Sequence, residues 1–240
     1  MKRISYLFAL AALIFQIGCG PKVSDVFKKY EGEFKKKREQ FQSIAGALPE
    51  KGGANAEKNC PNMNPAIEFN EKTRQFNTEM VMFEQLSDPD AKPKMDILPK
   101  SELLNSIQWT GPKNPMSTSV LDDRAGDTED RLKAALAYRY LVVSRAINLT
   151  EPVALDEKTY TPGKAKIETS IVDLTNNQPL CSFVIDAKSA SAVEYSYKGN
   201  ESKQKQLENF AHSTLWEDAR KQTIEQLKQK VNAKIELTSF

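Results

Sequence analysis

Histidine is nearly missing from this chain: His212 is the only one in 240 residues. Nucleophilic catalysis needs a base within reach of its nucleophile, and zinc needs clustered Cys and His. One His without a nucleophile elbow assembles no triad. The three cysteines, Cys19, Cys60 and Cys181, are too far apart for zinc-ligand spacing. No Gly-rich phosphate loop occurs among the ten glycines. The expected catalytic, cofactor-binding and metal sets are therefore empty, and no enzyme is expected. Charge of one sign is also lacking, with 34 Lys and Arg against 32 Asp and Glu. Nothing carries the basic footprint of a nucleic-acid binder, so no nucleic-acid partner is expected.

What is present is ordinary globular material, 40% hydrophobic and 28% charged, which argues against full disorder. A chain of this length can bury roughly 70% of its unfolded surface. The composition changes sharply only at the start. Lys2 and Arg3 form a positive n-region, and Ile4 to Phe15 an apolar run. That run is about a dozen residues, short of the roughly 20 that cross a bilayer, and has the anatomy of an export signal. It ends in Gln16-Ile17-Gly18-Cys19. This tetrapeptide resembles a bacterial lipobox, the site where signal peptidase II cuts before a diacylglycerol-modified cysteine. Gly18 and Cys19 fit the family pattern; Gln16 stands where the family usually has Leu. Ordinary cleavage at the small-x-small pair Gly18 and Gly20 is the competing reading. The resemblance covers residues 1–19 only and implies lipidation of Cys19 with acyl chains such as palmitate. Each buried methylene contributes about 0.8 kcal/mol, so two or three chains would anchor the protein.

With Cys19 consumed by lipid, Cys60 and Cys181 remain. Outside the cytoplasm disulfides persist, and an even pair suggests one bridge. The alternative is two free thiols, Cys181 lying on the apolar side of an expected strand.

Apolar residues at helical spacing from Val23 through Phe27, Tyr30, Phe34, Phe41 and Ile44 to Leu48 predict an amphipathic helix of about 25 residues. Its other face carries Lys28, Lys29, Lys35, Lys36, Lys37 and Arg38. These can face solvent or rest on anionic headgroups, and the aromatic stripe of the helix could instead seal a helix pair with a partner. Lys51 to Asn64, with Gly52-Gly53, reads as a linker. Pro65 then opens a second predicted helix with the stripe Ile67, Phe69, Phe76, Met80, Phe83 and Leu86. Met80 and Met82 read as core filler. Leu103 and Leu104 suggest a short helix before a turn at Trp109. Asp122, Asp123, Asp127, Glu129 and Asp130 fail the calcium-loop pattern, because Arg124 falls on a ligand position. Asp127 or Thr128 is instead expected to cap a helix running to about Ala137.

The alternation Tyr138, Tyr140, Val142 against Leu141, Val143, Ile147, Leu149 predicts a strand. Ala165, Ile167, Thr169, Ile171 predicts a second, and Cys181, Phe183, Ile185, Ala187 a third. Asp173 to Pro179 is a hairpin signal between the last two. Val193, Tyr195 and Tyr197 suggest a short fourth strand. Leu207, Phe210, Ala211, Leu215, Leu227 and Val231 mark a long final helix from about Lys203. Asn148 and Asn200 head glycosylation sequons that are chance matches in a bacterial export product.

The expected fold is α+β: a three- to four-stranded antiparallel meander with one greasy face, covered by helices and preceded by the N-terminal amphipathic helix. The expected segments are a signal peptide at 1–18, the lipidated N-terminus, helix and linker at 19–64, a helical or irregular region at 65–126, and the core at 127–240. The order helix, strands, long helix is similar to that of small envelope lipoproteins that activate cell-wall synthases or build secretion pores, a fold-level analogy. The expectation is a non-enzymatic adaptor or assembly protein of the cell envelope. It would be held to a membrane, the outer rather than the inner, through Cys19, outside the cytoplasm and beside a protein partner. The alternative is an extracytoplasmic small-ligand-binding module with a pocket around Trp109 and the Thr150–Pro162 loop.

Overall fold

The computed structural model describes residues 22–52, 58–99, 102–110, 125–192 and 200–238. The fold is α+β. Strands β4 (Tyr140–Thr150), β7 (Lys164–Asp173) and β8 (Gln178–Lys188) form the expected antiparallel meander. The β7–β8 turn closes with Asn177 at φ 60°, a left-handed position that asparagine tolerates. Between β4 and β7 the chain makes a small hairpin, β5 (Val153–Ala154) against β6 (Tyr160–Thr161). Gly163 closes that excursion. A Cβ there would lie 2.6 Å from Pro152 Cδ and 2.9 Å from the Thr150 carbonyl oxygen.

The expected fourth strand at Val193, Tyr195 and Tyr197 lies outside the described residues. The fourth described strand of the sheet is β3 (Thr78–Met82), which runs parallel to β4 with Thr78 opposite Tyr140 and Met82 opposite Ser144. The predicted second helix is thereby overturned. Its stripe folds as β1 (Glu68–Asn70), β2 (Gln75–Phe76), β3 and the single turn α2 (Glu84–Ser87). The physical reason is a tight turn at Arg74, φ 55°, fixed by asparagine side chains. Asn70 accepts from Thr73 N–H, and Asn77 binds the main chain at both Ala66 and Glu68. Phe69 and Phe76, seven residues apart, thus become cross-strand partners with ring centroids 4.8 Å apart.

Helix α1 (Val23–Ala47), α3 (Glu102–Trp109) and α4 (Ala125–Leu136) form a layer on one face of the sheet. Asp127 lies inside the first turn of α4, so neither it nor Thr128 is the cap. Helix α5 (Lys203–Val231) covers the other face. Ser202 caps its start by accepting from Lys205 N–H, and Asn232 at φ 52° ends it. The chain then returns as β9 (Lys234–Glu236), parallel to β1. No described helix is long and apolar enough to cross a membrane.

Both faces of the sheet are greasy at one end, not one face as the alternation suggests. Tyr140, Val142, Ile171, Cys181 and Phe183 pack under α5 and the small sheet. Leu141, Val143, Val81 and Val172 pack under α1, α3 and α4. A β-bulge between Ala146 and Asn148 then resets the alternation. Leu149, expected to side with Leu141, therefore packs with Tyr140 and Val142. Beyond the bulge only the α5 face stays buried. On the helix-layer face Asn148, Thr150, Lys164, Lys166, Asp186 and Lys188 are exposed.

Edge strand β3 is wholly buried and is blunted by side chains. Gln85 Oε1 accepts from Met82 N–H at 3.0 Å, and the fully buried Glu79 accepts from Met80 N–H at 3.1 Å and Leu104 N–H at 2.8 Å. The last of these ties the first turn of α3 to the sheet. Within the helix layer, Glu129 of α4 ties α1 down. It accepts from Lys29 Nζ at 2.7 Å, Tyr30 hydroxyl at 2.9 Å and pairs with Lys133 Nζ at 3.1 Å. The hydrogen bond from Lys29, then those from Tyr30 and Lys133, lower its pKa from 4.5 to about 2. The folded-state value lies below the unfolded one. The stabilisation is therefore full above about pH 4.5 and lost as pH falls toward about 2. We predict that Glu129→Gln lowers the melting temperature at neutral pH, and that the variant's further drop between about pH 5 and about pH 2 is smaller than the parent's. Equal drops in a calorimetric pH series would contradict this assignment.

Candidate functional site

The residues singled out by sequence are dispersed. Cys19 lies outside the described residues, as do Asp122 and Asp123. Met80 and Met82 are core residues, each 2% exposed. His212 is half-buried on α5, its ring edge-on to Trp216 at 6.1 Å. Trp109 ends α3 and packs edge-on to Phe27 at 5.6 Å, within the helix layer. The Thr150–Pro162 loop packs instead against α5, where Gln204 donates to the Ala154 carbonyl. The expected pocket between Trp109 and that loop is not formed, because the two lie on opposite faces of the sheet. Of the basic residues on α1, Lys28, Lys35 and Lys36 are exposed, Lys29 pairs with Glu129, and Arg38 donates to the Ile107 carbonyl at 2.8 Å.

Cys60 and Cys181 are brought together, with sulfurs 2.11 Å apart and Cα atoms 4.8 Å apart. Two residues earlier, Lys58 exchanges both main-chain hydrogen bonds with Ser182. This pairs the start of β8's outer edge. The end of the same edge is met by α5 side chains: Asp218 accepts from Lys188 N–H at 2.9 Å and Gln222 donates to the Asp186 carbonyl at 3.1 Å. A loop closed by a link across 121 residues would be worth about 4–5 kcal/mol in the chain-entropy model.

Just after α1 the chain, residues 48–52, lies over the sheet as a strap, held at one point by buried charge. Arg145 on β4 donates Nε to Glu168 Oε2 on β7 at 3.0 Å and Nη2 to the Pro49 carbonyl at 2.6 Å. Gly52 N–H reaches the same Oε2 at 3.3 Å. The Arg145 guanidinium also sits over the Phe83 ring, 5.3 Å from its centroid. The two side chains are 12% and 1% exposed, and Glu168 Oε1 has no hydrogen-bond partner. Gly52 adopts φ +67°, and an added Cβ would meet Ile147 Cγ2 at 3.0 Å. Glycine thus fits the strap both by conformation and by space. At the far end of the same sheet Arg139 pairs with Asp173. Burial pushes the Asp173 carboxyl up, but the Thr175 hydroxyl and N–H and Arg139 outweigh it and hold the pKa below the usual range.

A concavity of about 930 Å³ runs along α5, lined by Asp96, Lys188, Trp216, Arg220, Ile224 and Lys228 among others. Arg220 Nε is buried there without a hydrogen-bond partner. Among the described residues no group of three His, Cys, Asp or Glu side chains is placed to hold a metal ion.

No protein-family model, curated protein or solved structure matches this chain. Its surfaces must therefore be read from their own chemistry. The Arg145–Glu168 pair was invisible in the sequence, where both residues sit at polar positions of alternating strands. Only the β4–β7 register, unbroken from Tyr140 opposite Asp173 to Ala146 opposite Ile167, sets them opposite each other.

A buried ion pair costs most when one partner is removed. We predict that Arg145→Ala destabilises the fold by about 3–5 kcal/mol, because Glu168 is left charged and buried. Arg145→Met combined with Glu168→Leu should recover most of the loss. Urea denaturation of the three proteins checks this, and a double variant as unstable as Arg145→Ala would refute it.

Proposed function

We propose that this chain is a membrane-anchored lipoprotein of the cell envelope that acts as an adaptor or assembly protein through protein contacts. The observation that carries the reading is Gly18-Cys19 closing a positively led apolar run. The folded part follows at once: only Gly20, Pro21 and Lys22 separate Cys19 from the start of α1 at Val23. Four residue steps reach at most about 14 Å. Acylation of Cys19 would hold the head of α1 that close to the headgroups, with the domain at the membrane surface. An anchor of this kind confines a protein to encounters in one plane, which suits a scaffold. Metabolic labelling with a fatty-acid analogue should tag the full chain and leave Cys19→Ser untagged and released from the membrane fraction. Label retained by Cys19→Ser would overturn the lipobox reading.

The groove along α5 supports a second reading, a small-ligand-binding module. It offers the indole of Trp216 and the Ile224 side chain, set among charged residues and beside the unpartnered Arg220 Nε, an apolar contact with polar groups around it to orient a ligand. A small-molecule thermal-shift screen should then yield compounds that raise the melting temperature of the parent and not of Trp216→Ala. Compounds that shift both proteins equally would move the site elsewhere.

A further inference from the structure

The helix layer covers only half of its sheet face. Past the strap the face is bare, and its side chains fall in cross-strand rows: Arg145, Glu168 and Val184; then Asn148, Lys166 and Asp186; then Thr150, Lys164 and Lys188. The first row is closed by the strap over Arg145 and Glu168, with Val184 half-buried at its end. The other two are exposed throughout. Lys164 and Lys188 are directly opposed like charges in register, an arrangement that costs stability unless an anion neutralises it. Lys166 lies two residues along the strand from Lys164 on the same face. None of the three lysines forms an ion pair among the described residues, whereas Lys29, Lys133, Arg131, Arg139 and Arg145 all do. The two rows therefore carry three exposed lysines against Asp186, which lies directly opposite Lys166, and Asp218 of α5, which accepts from Lys188 N–H at the sheet edge; the half-buried Val184 lies beside them.

The shape selects among anions. The floor lies beside α1, α3 and α4, and a helix with its side chains is about 10–12 Å across. A flat headgroup surface resting on those helices would not reach a floor recessed by that depth. A single peptide segment would fill the recess and complete the half-finished layer. We infer that the bare half of the sheet is the docking floor for an acidic peptide segment of a partner protein, its carboxylates on Lys164, Lys166 and Lys188 and an apolar side chain against Val184. This rests on the adaptor reading and names the chemistry of its partner.

The test uses the full mature chain in non-ionic detergent and a fluorescent glutamate-rich peptide with interspersed leucines as the probe. Binding should weaken with salt, as exposed charge pairs do. It should fall about tenfold or more when Lys164, Lys166 and Lys188 are all changed to Ser, since each exposed pair contributes modestly. Replacing Lys28, Lys35 and Lys36 on α1 by Ser should leave it unchanged. Hydrogen exchange should slow at Val184 to Lys188 on adding the peptide. Affinity undiminished by the sheet substitutions, equal loss from the α1 set, or lysine-dependent binding of phosphatidylglycerol vesicles without peptide binding would each overturn the inference. The anchor is tested separately. Peptide binding by a parent chain that takes up no fatty-acid label would sink the lipid reading and leave the docking floor. Label without peptide binding would do the reverse.

Discussion

Burial of β4 on both faces is the constraint that places nearly everything else. Over Tyr140–Ser144 every side chain is shut away from water. A strand of that kind needs a layer on each side and a neighbour at each edge. α5 and the small sheet supply one layer, and α1, α3 and α4 the other. β7 supplies one edge, and β3, drawn from sixty residues earlier in the chain, supplies the other. The helices also hold one another: Phe27 of α1 packs on Trp109 of α3, Glu129 ties α1 to α4, and Glu102 pairs with Arg131 between α3 and α4 at 3.2 Å.

The same strand changes character half-way. Up to Ser144 it is a core strand; after the bulge it is a half-exposed one. The junction is where charge enters the interior. Arg145 and Glu168 sit at the seam between the greasy and bare halves, and the strap closes over them. Buried pairs of this sort seldom add net stability over apolar substitutes. Here the pair supplies position, since both the Pro49 carbonyl and the Gly52 N–H are held by it. The strap is thus pinned over one defined row, and the lysine rows beyond it are exposed.

Much of this was legible in the residues. The period of two in β7 and β8, the Asp173–Pro179 turn and the long apolar ridges of α1 and α5 each had a single good reading, and the α+β architecture followed. The stretch from Pro65 to Leu86 had two. Spacings of seven between Phe69 and Phe76 and of four to Met80 suit a helix stripe, but also suit a hairpin whose turn sets two aromatics opposite each other. Only the asparagine contacts around Arg74 decide between them, and those depend on where the chain bends. The faces of β4 failed after Ile147 for a related reason: an extra residue in one strand inverts every later side chain, and nothing in Ala146-Ile147-Asn148 announces it. The α5 groove and the lysine floor share this property. They draw on residues far apart in sequence and exist only once the register is set.

The pairing of β1 with β9 has a bearing on how the molecule is made. Phe69 meets Ile235, so a strand laid down in the first third of the chain waits for one synthesised at the far end. Until then the Phe69 and Phe76 rings and the ridge of α5 have no complete cover. A nascent chain emerging head first would carry that sticky surface throughout its passage, making it a natural client for a holding chaperone.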